Sequence, residues 1–250
     1  MKNKLFPILF LFPITAGFCG ASLRATQLKA LADGAHNLAA PTYGLIIVSV
    51  IAIFLALVAA LLLKNGINFS CRFHDSALLG VSSVGAVILL LHAAFLLFAL
   101  KDNFRATDLI LALFSLYSAV SLIVLGKYNL AERESSAYCI FSAVPAFWAA
   151  FLLILSFRDK ISDPIISNYI FLILSYISIL FFLYSVTAHV LGKNRKFISV
   201  FSCFSGIFFI LTEVFSLIFS GEFVLKAELL PLFAFIVLMP LYTAKINKKN

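Results

Sequence analysis

"GIFFILTEVFSLIFSG", residues 206–221, places one carboxylate, Glu213, inside a run of otherwise apolar or small residues. With "KFISVFSCFS" (196–205) before it, the run exceeds the about 20 mostly apolar residues that a membrane-crossing helix needs. The solvent around this segment decides the fold. In water the run would have to be buried in a large core. In a bilayer it is an ordinary span with one costly residue.

The rest of the chain chooses the bilayer. Of 250 residues, 63% are hydrophobic and 12% charged. Soluble domains carry about 25% charged residues, and a chain this apolar cannot cover its surface with polar groups. Apolar runs between charged breaks recur eight times, at roughly 5–21, 43–63, 77–100, 109–126, 138–157, 165–191, 197–220 and 223–244. The reading is therefore an all-α, polytopic transmembrane helical bundle of about eight spans, forming a single integral membrane domain over residues 1–250. The first run, "MKNKLFPILFLFPITAGFCGAS", also fits a signal peptide. An uncleaved anchor is favoured; cleavage would leave seven spans. The last run is interrupted by Lys226, Glu228, Pro231 and Pro240, which blurs its start.

Lysine and arginine counts in the short loops give an orientation. With the N-terminus in the cytoplasm, the inward segments hold 12 Lys and Arg and the outward ones 7, Arg24 and Lys29 among the latter. Both termini are thus expected to be cytoplasmic, in the cell membrane. The net charge of +8 reads as cytoplasmic basic loops meeting anionic lipid headgroups, not as nucleic-acid binding. The lipid bilayer is the main partner, with a membrane partner subunit as a further candidate. Cys19, Cys71, Cys139 and Cys203 are scattered and suggest neither a disulfide framework nor a zinc site.

A carboxylate at mid-membrane costs about 2.5–3.5 kcal/mol on insertion scales, so Glu213 should point into protein and find a partner. Residues 3, 4 and 7 apart share a helix face. Ser202, Gly206, Ser216 and Ser220 fall on the Glu213 face, and small residues of this kind let helices approach closely. His92, in "VILLLHAAFLL", is the other strongly polar side chain deep in a span, and Gly85 and Ala99 share its face. His92 lies nine residues before Lys101, and Glu213 nine before Glu222. Each is then about 13 Å from its outer boundary, a depth that makes a His92–Glu213 contact the expected polar centre and a proton- or cation-responsive site. A hydrogen-bonded clip without a transport role is the simpler alternative.

Other stripes carry two readings each. Asn168, Ser175, Ser178, Ser185 and His189 share a face of the sixth span; they could line a wet cavity, or the serines could bond their own helix. Thr107, Ser115, Ser118 and Ser121 form a similar stripe in the fourth. Ala52, Ala56 and Ala60 make a small-residue ridge for helix packing or for docking a subunit. Pro145 can start or kink the fifth span, and Tyr138 and Trp148 fit an interfacial aromatic belt. No GxxxxGK[ST], HExxH or GxSxG motif occurs, and no span holds paired acids. The sequence therefore points away from an enzyme and calls for neither cofactor nor metal.

Three stretches carry a resemblance: "LRATQLKALAD" (23–33), "PAFWAAFLLILSFRDKISDPIISNYIF" (145–171) and "GKNRK" (192–196). On these the chain resembles a group of uncharacterised multi-span membrane proteins from anaerobic Gram-positive bacteria. The resemblance implies a multi-span fold and brings no site residue with it. The functional expectation is a permease-like protein or transporter subunit for an ion or small solute. Glu213 and His92 would be its binding residues, and Asn168, Ser175, Ser178, Ser202 and Ser216 would line a cavity. The alternative is a non-transporting membrane sensor or accessory scaffold. A wet cavity reaching Glu213 would favour the first; a dry bundle with an exposed alanine ridge would favour the second.

Overall fold

Apolar runs in hydrocarbon must satisfy every backbone polar group internally, and helices do so within one segment. In a computed structural model the described residues are 2–32, 39–63, 76–102, 104–131, 136–161, 169–191, 193, 195–221 and 227–248. Among them lie eight α-helices and no strand: α1 Lys2–Ala32, α2 Ala39–Leu63, α3 Ser76–Asp102, α4 Ala106–Ala131, α5 Ser136–Lys160, α6 Ile170–Val190, α7 Lys196–Ser220 and α8 Leu230–Lys248. Seven are long and apolar enough to cross a membrane; the apolar part of the last, Ala227–Thr243 with its leading 3₁₀ turn, is shorter. The chain is a multi-pass helical membrane protein. α7 stops at Gly221, whose φ of 81° is the left-handed conformation glycine adopts without cost.

The helices alternate in direction. Gln27 near the end of α1 bonds Thr42 at the start of α2. Thr187 late in α6 donates to the Ser142 carbonyl early in α5, and Lys160 ending α5 pairs with Glu228 just before α8. α1, α3, α5 and α7 thus all begin at one end of the bundle, here termed proximal, and finish at the other, distal end. On the charge count above, the proximal end is the one expected in the cytoplasm.

α7 is the central helix, buried along most of its length and packed by α1, α2, α6 and α8. α3, α4, α5 and α6 follow one another around the bundle, and α8 closes the circuit onto α3 and α7. α1 lies parallel along α7, with Phe10 against Phe204 and Phe18 against Phe215. Ala52, Ala56 and Ala60 are buried where α2 meets its neighbours α1 and α7. The ridge is consumed in internal packing. The opposite face of α2, including Ile46, Val50, Phe54 and Leu61, is exposed and suited to lipid.

The first helix departs from the expected span of 5–21. It runs on through Arg24 and Lys29 to Ala32, so these two cations are helical and not in a loop. Residues 22–32 contain no proline or glycine to break the helix, so the fall in hydropathy there does not end it.

Candidate functional site

Glu213 does point into protein, and only 5% of it is exposed. Its partner is Arg24: Nε donates to Glu213 Oε2 at 3.2 Å. The arginine is 1% exposed, and its guanidinium lies 5.0 Å over the Phe171 ring at the start of α6. Arginine suits such a position because its planar, weakly hydrated cation can bond a carboxylate and stack on an aromatic face together.

Small residues bring the two helices close enough. Gly17, Gly20, Ala21 and Arg24 follow one another on the buried face of α1. A Cβ on Gly17 would stand 2.8 Å from Leu211 Cβ, and one on Gly20 2.7 Å from Thr212 Oγ1. Close approach is therefore what these glycines supply. It lets Arg24 reach a carboxylate 189 residues further along. Removing either partner leaves a buried charge, at a cost of about 3–5 kcal/mol.

A second ion pair lies nearby at the distal end. Lys160 Nζ stands 3.3 Å from Glu228 Oε2, part-exposed, and the buried Tyr176 hydroxyl donates to the Glu228 carbonyl at 2.5 Å. The ends of α1, α5 and α7 and the beginnings of α6 and α8 are held in this way by alternating charges and one phenol.

The expected His92–Glu213 contact does not form. α3 is not among the helices that pack along α7; α1 occupies the carboxylate's face. The reason is the length of α1, which continues past the apolar stretch and carries Arg24 to the carboxylate.

His92 instead belongs to α3, α4 and α5. Its Nδ1 lies 3.0 Å from Ser115 Oγ, which also receives the Trp148 indole N–H at 2.8 Å. Ser115 Oγ in turn donates to the Leu111 carbonyl at 2.8 Å. A hydroxyl has one proton and two lone pairs. With its proton on Leu111, Ser115 accepts from both rings, which assigns the His92 proton to Nδ1 and leaves Nε2 with its lone pair. Among the described residues nothing hydrogen-bonds Nε2. Trp148 is fully buried and stacks on Phe235 of α8 at 6.0 Å. It is a central residue, not part of an interfacial belt; Ser115 meets the polar need of its indole that headgroups would otherwise meet. The side chain of Tyr138 lies outside the described residues.

The expected cavity-lining residues behave as helix-bonded serines. Ser175 bonds the Phe171 carbonyl, Ser178 that of Leu174, Ser202 that of Ser199 and Ser216 that of Glu213. Asn168 lies outside the described residues. A cavity does exist elsewhere, about 30 Å³ in the proximal half between α3, α4, α5, α6 and α8. Its walls are mostly Leu and Phe, with Ser82, Ser142 and Tyr242 as polar exceptions. Of the predicted binding and lining residues that are described, Glu213, His92, Ser175, Ser178, Ser202 and Ser216, none borders it. No group of three or more His, Cys, Asp or Glu suited to a metal occurs among the described residues.

Compared with known protein families, with curated proteins and with solved structures, the chain matches none of them.

Proposed function

We propose that this chain is a non-transporting integral membrane protein of the cell membrane, an accessory scaffold or sensor whose distal half is a static, ion-paired bundle. The observation that supports this is the closure of Glu213 on Arg24 beneath Phe171, with the cavity found among the described residues lying elsewhere. A substrate-binding carboxylate needs a path for its substrate and a partner it can exchange. Here the partner is a buried arginine from the same chain, and breaking the pair would strand two charges in a low-dielectric interior. Both termini are read as cytoplasmic, with the basic proximal loops against anionic lipid.

The test is access of water to the carboxylate's position. A variant lacking the four native cysteines, with Arg24→Met and Glu213→Cys together so that no lone charge remains, should resist a membrane-impermeant thiol reagent from either face. Rapid labelling would overturn the reading. A permease for a small solute is the second reading, favoured by the proximal cavity. It requires solute flux in proteoliposomes that Phe235→Trp, placed to fill the cavity, abolishes.

A further inference from the structure

The bonds that place His92 also set the alignment of three helices. α3 and α4 are antiparallel, as are α4 and α5, and the Trp148–Ser115 bond fixes the register of the second pair. From Ser115 toward the proximal end, α4 carries Ser118 and Ser121. Both are buried, and neither Oγ has a partner. In that register Ser121 faces the level of Ser142 on α5, because each lies six residues from the bonded pair. Ser142 lines the cavity, together with Leu122, the neighbour of Ser121, and Ser82 of α3. Ser82 is 6% exposed and its hydroxyl has no partner among the described residues.

The spacing suits water. Ser115 and Ser121 are about 9 Å apart along the axis, in two steps of about 4.5 Å. Such a step is too long for a direct hydrogen bond and fits one bridging water. Buried hydroxyls without protein partners are the groups that internal water serves. The distal side of His92 is different. Ala93–Leu100 of α3, Leu109–Phe114 of α4 and Ala149–Leu155 of α5 contain no polar side chain, and Trp148 and Phe235 stack beside the imidazole.

We propose that a file of water enters through this cavity, runs along Ser82, Ser142, Ser121 and Ser118, and ends at His92, making the imidazole a proton-binding site open to the proximal face alone. The proton arrives on Nε2, since Nδ1 already carries one for Ser115, and the product is an imidazolium donating from both nitrogens. Among the described residues no charged side chain faces His92 from the helices around it. α4 presents Ser115, with Tyr117 turned outward; α5 presents Trp148, with Cys139 at its proximal start; α8 presents Phe235, with Tyr242 at the cavity. This site shares no residue with the Arg24–Glu213 pair, so labelling at position 213 leaves it standing.

Trp148 is the sole tryptophan of the chain and its ring centroid is 6.2 Å from that of His92. An imidazolium in contact with an indole quenches its emission. The full-length protein would be reconstituted in proteoliposomes sorted by accessibility of a C-terminal tag, with each side's pH clamped. Acidifying the proximal side from about pH 8 to about pH 4 should reduce Trp148 emission reversibly, and acidifying the distal side should not. His92→Gln, which keeps a donor for Ser115, should abolish the response; Ser118→Ala with Ser121→Ala should weaken it severalfold. An unchanged wild-type emission, an equal response from both sides, or a wild-type response in either variant would overturn the proposal.

Discussion

The molecule holds two deep polar centres, and they are built on opposite principles. At the distal end, Arg24 and Glu213 are full charges matched against each other and capped by Phe171. At the centre, His92, Ser115 and Trp148 are neutral groups sharing one hydroxyl, with further hydroxyls beyond them that lack protein partners. The difference teaches what burial asks of each kind of group. A charge in hydrocarbon must be neutralised by a partner, which closes the site. A hydroxyl tolerates an imperfect environment, which leaves room for water and for exchange. The same bundle can therefore be locked at one level and permeable at another.

The largest effect should come from breaking the lock on one side. Glu213→Ala leaves Arg24 buried and alone, and unfolding in mixed detergent should show a loss of about 3–5 kcal/mol. Arg24→Met with Glu213→Leu should recover most of it, because two apolar side chains of similar volume need no neutralisation. Gly17→Leu comes next. Its side chain would enter the space of Leu211, and overpacking of that kind costs about 1–3 kcal/mol, read as a lower thermal midpoint with α1 displaced.

Ser115→Ala probes the neutral centre. It removes the acceptor of two buried donors, and stability should fall by about 1–3 kcal/mol with a change in the Trp148 emission maximum. Lys160→Ala should have the smallest effect. Its pair with Glu228 is part-exposed, and exposed pairs contribute about 0–1 kcal/mol. A larger loss there would mean that the distal charges act as one network.

The two centres also differ in how far the sequence disclosed them. Glu213 announced itself by isolation, and its inward direction followed from the small residues on its face. Its partner did not, because hydropathy ends a span where the first charge appears. The signal that was present is the helical spacing of Gly17, Gly20, Ala21 and Arg24, which continues the buried face past the apolar boundary. His92 was equally conspicuous, yet equal depth on two helices says nothing about whether those helices touch. Pairing of helices is set by tertiary packing, and α1 holds the place given to α3. Trp148 misled for a related reason: tryptophan prefers interfaces when its N–H has no partner inside, and Ser115 supplies one. The multi-pass character was legible throughout, since it rests on length and apolarity, which the bilayer reads directly.

The most direct measurement is a pair of double-mutant cycles on Glu213, one with Arg24 and one with His92, using unfolding free energy in the same detergent. The Arg24 cycle should show a coupling of more than about 3 kcal/mol, because either single change strands a charge and the double change does not, and the His92 cycle should be additive within about 0.5 kcal/mol. Additivity with Arg24, or a strong coupling with His92, would contradict the separation of the two centres.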